Sequence, residues 1–212
     1  MTHDNRQEGL GLKPFKVLLF DVDGVLLESA GIRDEAFGVA FESLGYPDGR
    51  RAVEIHQQHY GVFRKEQFRI IYRELFGETI TETILGKLND RFSEWVFKRV
   101  TTCPWVRGVK TVMAGKTVPY YVVSAAPQEE VRRVLSRQRL SRYFNGIYGG
   151  PAPKTSIIST LLSDLDCSPE QAVFIGDRIS DYEAARKTGV QFVGRVEPGG
   201  GNPFPDTAVT VE

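Results

Sequence analysis

Two carboxylates one residue apart, Asp21 and Asp23, stand at the end of the apolar run Val17-Leu18-Leu19-Phe20 and are followed at once by Gly24. In an extended chain, residues two apart project to the same side, so both can converge on one spot. Gly24 lacks the Cβ that forbids positive φ and lets the chain turn sharply there. Two like charges held so close call for a cation or another compensating partner. The pattern reads as a metal-assisted site with one carboxylate free to react. Alone, it would equally suit an ordinary strand-to-loop exit, since Asp and Gly are common turn residues.

Three further polar points favour the chemical reading, because each also follows an apolar run. Ser124 ends the run 118–123, Lys154 follows a short strand and the segment Gly149-Gly150-Pro151-Ala152-Pro153, and Asp177 and Asp181 follow the run 172–175. In a parallel sheet the carboxyl ends of the strands share one edge, where ligands bind, so stations scattered along the chain can meet. Together they would build a phosphoryl-transfer site. Asp21 would be the nucleophile. Asp21, Asp177 and the main-chain carbonyl of Asp23 would hold Mg²⁺, a hard cation that prefers oxygen ligands. Lys154 would neutralise phosphate charge, while Ser124 and the amides from Ala125 onward would donate to the phosphoryl oxygens. Asp23 would act as general acid and then general base. An unperturbed aspartate titrates near ~3.9 and needs help to act as an acid at neutral pH. Asp181 has three open readings: a hydrogen bond to Lys154, a contact to Mg²⁺ through water, or a cap for the following helix. A role in the outer shell of the site is favoured.

These residues need a scaffold, and the hydrophobic pattern supplies one. The run at Val17–Phe20, rich in branched side chains, predicts a strand buried on both faces of a parallel sheet. From about Ile32 to Thr102 the period becomes helical, with Phe37, Ala40, Phe41 and Leu44 on one face, Phe68, Ile71, Tyr72 and Leu75 on a second, and Ile80, Ile84, Leu88, Trp95 and Val96 on a third. Gly45 and Gly77 stand where helix C-caps belong. Glu28-Ser29-Ala30-Gly31 reads as a hinge. Beyond residue 103, strands and helices alternate, with 190–193 as the last core strand. The expected architecture is α/β: a Rossmann-like parallel sheet flanked by helices, formed by 1–30 and 103–212, with a small α-helical cap at 31–102.

Bulk properties narrow the function classes. Lysine plus arginine equals aspartate plus glutamate at 27 each, so no global field favours nucleic acid or an anionic membrane. Cys103 and Cys167 match no metal-ligand spacing and read as free thiols in a reducing compartment. The polar segment through Pro14 has no apolar signal core, and no stretch approaches membrane-spanning length. A cytoplasmic protein, monomeric or homodimeric, is expected.

Four of these segments carry a family resemblance. Asp21-Val22-Asp23-Gly24-Val25, Ser124 after its strand, Lys154 in Gly-Gly-Pro-Ala-Pro-Lys, and Gly176-Asp177-Arg178-Ile179-Ser180-Asp181 resemble, in order and spacing, the four motifs of the haloacid dehalogenase superfamily. The chain looks like its phosphatase branch with an α-helical cap after the first motif, similar to phosphoglycolate-phosphatase-like and β-phosphoglucomutase-like enzymes. The resemblance runs from about Phe15 to Gly194. It implies a Rossmann-like core, Mg²⁺ dependence and hydrolysis of a small phosphorylated metabolite. Two departures stand out: Ala125-Ala126 where many relatives carry Asn or Gly, and an end at Val211-Glu212 without the expected final helix, which reads as a truncated or unusual terminus. In such enzymes the cap supplies specificity; Arg33 and Arg64, with Arg69 and Arg73 behind them, are candidates for a second anionic group on the substrate. His56 and His59 could share a helix face as metal ligands but have no evident third partner. The rival functions are a sugar phosphomutase using the same residues, a phosphoacceptor signalling module, and a 2-haloacid dehalogenase, which would need no Asp23.

Overall fold

The computed structural model describes residues 15–212; the polar segment through Pro14 lies outside them. Strand β1 (Val17–Phe20) is followed by four helices, α1 (Ala30–Ser43), α2 (Gly49–Gln58), α3 (Arg64–Phe76) and α4 (Glu82–Val100), and by the short α5 (Val109–Ala114). The chain then alternates: β2 (Tyr120–Pro127), α6 (Gln128–Arg137), β3 (Gly146–Gly150), α7 (Lys154–Asp164), β4 (Ala172–Gly176), α8 (Ile179–Thr188), β5 (Gln191–Arg195) and β6 (Val209–Val211). The six strands form one sheet in the order β3-β2-β1-β4-β5-β6, every pairing parallel. Helix α5 was not expected, and neither was β6, a short and largely exposed strand that pairs parallel to β5, the last strand of the core. A three-residue strand carries too little period to be read from sequence. Among the described residues no helix is long and apolar enough to cross a membrane.

Strand β1 is central, and its side chains alternate as the period-two rule requires. Val17 and Leu19 enter a cluster with Phe174 and the buried faces of α7 and α8. Phe20 enters the other cluster, with Val122, α6 and the aromatic core of α1–α4. The four-helix block is therefore continuous with one face of the sheet. Caps fix its helices: Asp48 accepts from the Arg51 amide, Thr81 accepts from the Ile84 amide, and Gly77 closes α3 in the left-handed conformation.

Two linkers join this block to the sheet, and both are clamped. The first is narrower than expected, because Ala30 and Gly31 already belong to α1. Glu28 accepts a hydrogen bond from Arg195 at 2.8 Å. On the second, the Trp105 indole donates to Gln138 at 3.1 Å, while the Gln138 amide donates to the carbonyls of Val100 and Cys103.

Register sets the site. Phe20 pairs with both Val122 and Ile175, so the residues that follow on β1, β2 and β4 emerge side by side. The fourth station arrives through close backbone contact. A Cβ on Gly149 would lie 2.5 Å from the Ala126 carbonyl oxygen and 2.8 Å from Gln128 Cα, so the end of β3 can run beside the end of β2 only as glycine. Backbone atoms cannot swing aside as a side chain can, and overpacking of this kind costs about 1–3 kcal/mol. Gly149→Ala should lower the unfolding free energy in urea by about that amount, by displacing the segment that carries Lys154.

Candidate active site

At the carboxyl edge of the sheet the Asp21 carboxylate emerges directly from β1, its own amide tied to the Ile175 carbonyl at 2.9 Å. Lys154, the first residue of α7, sends its ammonium between two carboxylates, 2.8 Å from Asp21 Oδ1 and 2.5 Å from Asp181 Oδ1. Asp181 is fully buried, and its second oxygen accepts from the Arg178 amide at 3.1 Å at the start of α8. It thus both caps α8 and binds Lys154, two of the three roles its position allowed. Asp177 completes the group: carboxylate oxygens of Asp21, Asp177 and Asp181 lie within 4.8 Å of one another.

The group fits a cation. Three carboxylates face one ammonium, and the buried Oδ1 of Asp177 has no hydrogen-bond partner, a condition that normally costs free energy and calls for an explanation such as an ion. Oxygen-only donors suit a hard divalent ion such as Mg²⁺. Gly24 belongs to the same cradle. Its φ is +73°, and a Cβ there would stand 2.2 Å from Asp177 Oδ2. Electrostatics agree. Burial pushes Asp21 up to about 7, with Asp181 and Asp23 adding to the rise and Lys154 opposing it. Burial, then Asp21 and Asp181, push Asp177 up to about 8. Burial alone would lower Lys154, but its two carboxylates outweigh it and raise it above the ordinary lysine range.

Asp23 stands apart from this cluster. Ser29 donates to its Oδ1 at 2.5 Å, and Arg33, from α1, pairs with its Oδ2. Ser124 is buried beside the cleft, but its hydroxyl accepts from the Ala126 amide at 3.1 Å, so that amide is already engaged by Ser124. Ala125 is exposed on the cleft wall. The cleft, about 390 Å³, is lined by Asp21, Asp23, Ser124, Ala125, Lys154 and Asp177 on the sheet side, and by Arg33 and Arg64 on the helical side. Arg69 and Arg73 do not line it.

Arg33 and Arg64, the two candidates for a second substrate anion that line the cleft, are held by internal carboxylates. Arg64 reaches across to Glu130 of α6 with two hydrogen bonds, at 2.6 and 2.9 Å, and also donates to Ser93. Burial alone would lift Glu130, but Arg64 holds it below the usual carboxylate range. A third such pair was not singled out in the sequence. Arg178 donates to both oxygens of Asp34 at 3.2 and 3.3 Å and lies 4.2 Å over the Tyr60 ring. Tyr60 also donates to Asp34 at 2.6 Å, and His56 Nε2 lies 3.1 Å from it. Burial would raise Asp34, but His56, Tyr60 and Arg178 together lower it. His56 Nδ1 meets Gln67, while His59 bonds the Ile55 carbonyl, so the two histidines serve packing rather than a shared ion. Only the position of Arg178 inside the Gly176–Asp181 motif hinted at this cluster.

Comparison with known proteins places these observations. A family model described as haloacid dehalogenase-like hydrolase matches residues 18–195. A phosphorylated carbohydrates phosphatase of Thermotoga maritima is 25% identical over 181 residues, covering 83% of this chain and 82% of that protein. A phosphoglycolate phosphatase of Aquifex aeolicus is 29% identical over 197 residues, covering 83% and 82%. The crystal structure of CbbY from Rhodobacter sphaeroides in complex with phosphate shares the fold, with a TM-score of 0.75 at 20% identity over 92% of each chain.

The raised carboxyls fix a sign for pH dependence. Against an ordinary value of 3.8, the folded state keeps protons on Asp21 and Asp177 that the unfolded chain has lost. Their contribution to stability is therefore present below about pH 4 and is lost as pH rises to about 8. In chelator, the thermal midpoint should carry a component that falls over this window. Added Mg²⁺ should restore it most at the alkaline end, where protons compete least; a Mg²⁺-induced rise in midpoint that is larger at pH 5 than at pH 8 would contradict the assignment.

Proposed function

The chain belongs to the haloacid dehalogenase-like hydrolase family and is a phosphatase, and from that premise we propose that it hydrolyses a small phosphomonoester through an aspartyl-phosphate on Asp21, with Mg²⁺ as cofactor. The observation that carries this reading is the junction of Lys154, Asp21 and Asp181 beside the unpartnered oxygen of Asp177. Asp21, Asp177 and the main-chain carbonyl of Asp23 would hold the ion, with Asp181 behind them. Bound there, it would neutralise and orient the phosphoryl group.

The protein's own residues divide the remaining work. Lys154 fixes Asp21 Oδ1, leaving Oδ2 to attack phosphorus. The new O–P bond forms as the ester P–O bond breaks, and Asp23 gives its proton to the departing alkoxide. Water then attacks the aspartyl-phosphate, Asp23 takes the water proton, and the Asp21 carboxylate is regenerated as inorganic phosphate leaves. Ser29 and Arg33 both donate to Asp23 and orient its two oxygens. In this reading residues 31–102 act as a cap that opens and closes on the clamped linkers.

Asp21→Asn should abolish phosphate release, and Asp23→Asn should lower kcat by roughly 10²–10⁴, the usual worth of a general acid–base. Both are to be measured by phosphate release with and without Mg²⁺ over phosphorylated carbohydrates, phosphoglycolate and other small monoesters. An Asp21→Asn protein as fast as the parent would end the nucleophile assignment.

A further inference from the structure

The geometry points to a substrate whose alcohol portion is uncharged and carries a planar or apolar face, rather than one bearing a second carboxylate or phosphate. This rests on the phosphatase reading of the same cleft and narrows it.

The first ground is charge. Of the residues lining the cleft, the three arginines could clamp a second anion with a planar fork. Each is already matched by a carboxylate of this chain: Arg33 by Asp23, Arg64 by Glu130, and Arg178 by Asp34. The pairs are largely withdrawn from water, with side-chain exposures of 14% and 16%, 11% and 24%, and 29% and 16%. A ligand anion could take one of these guanidiniums only by stranding a partly buried carboxylate, which is strongly unfavourable. Lys187, the remaining lysine of the lining besides Lys154, is exposed on α8, one turn beyond Glu183.

The second ground is apolar surface. Tyr60, Val62 and Phe63, on the segment between α2 and α3, are exposed by 42%, 36% and 50% although they line the cleft. The segment lies over the sheet side, since a Cβ on Gly61 would sit 3.9 Å from Ser180 Cβ at the start of α8. Arg178 covers the Tyr60 ring and Arg64 covers Phe92. Phe63 has no stacked ring or cation among the described residues. Clustered exposed apolar side chains at a concave site mark a ligand contact. A planar uncharged group, tethered to the phosphate at Lys154, would bury this surface without disturbing any ion pair.

The test compares kcat/KM for phenyl phosphate, uridine 5′-monophosphate and phosphoglycolate on the full chain with Mg²⁺. At least one ring ester should exceed phosphoglycolate by tenfold or more; which of the two leads separates a simple aryl group from a nucleoside. Phe63→Ala should shrink the ring-to-glycolate ratio severalfold. Glu130→Gln, which frees Arg64, should shrink it from the other side by raising the phosphoglycolate value. Phosphoglycolate matching or exceeding both ring esters, or a ratio indifferent to Phe63→Ala, would overturn the inference while leaving the phosphatase reading intact. If no ester is hydrolysed, the phosphatase reading fails instead. Calorimetric binding to the Asp21→Asn protein then still ranks the three, and equal or tighter binding of phosphoglycolate overturns the inference on its own.

Discussion

The Lys154 ammonium, held between Asp21 and Asp181, is the contact around which the rest of the edge is arranged. It joins residues 133 positions apart in the chain. Without it, carboxylates gathered within 4.8 Å would face one another with no cation of the protein between them. Removing one partner of a buried ionic group typically costs about 3–5 kcal/mol, because the other charge stays behind. The backbone is shaped to permit the contact. The glycine at 149 lets β3 run against β2, and Asp181 is held by the Arg178 amide so that its other oxygen faces Lys154.

One ammonium does not balance three carboxylates, and that imbalance makes the site receptive. Asp21 and Asp177 are both pushed far above ordinary aspartate, and Asp177 keeps an oxygen without a partner. A stable fold would normally remove such a group. Its persistence beside a left-handed Gly24 marks a place where structural cost is kept for chemistry. The helical block is coupled to the same place. Arg33 holds Asp23, Asp34 holds Arg178, and Arg64 holds Glu130, so three ion pairs cross between the helices and the sheet edge. Any displacement of the block must loosen them, which links its position to the freedom of Asp23.

Much of this was legible from residue pattern. The double-sided burial of Val17–Phe20, the helical block after it, the alternation beyond Tyr120, and the four polar stations all follow from periodicity and from carboxylates placed after apolar runs. Those signals are local and survive in sequence because each reports a neighbour two, three or four residues away. Strand β6 and helix α5 were missed because they are short, and the two histidines were left open because one helix face says nothing about what packs on it.

By itself, then, the sequence determined which polar groups follow which strands, because each sits at a fixed offset from the end of an apolar run. The tertiary structure alone decided how the charges are shared. That Lys154 bridges Asp21 and Asp181, that Asp177 keeps an oxygen free, and that Arg33, Arg64 and Arg178 are already answered by Asp23, Glu130 and Asp34 depends on distances between residues remote in the chain. Coulomb and hydrogen-bond interactions act through space over a few ångströms and carry no period, so no local pattern of residues encodes which partner each charge will meet.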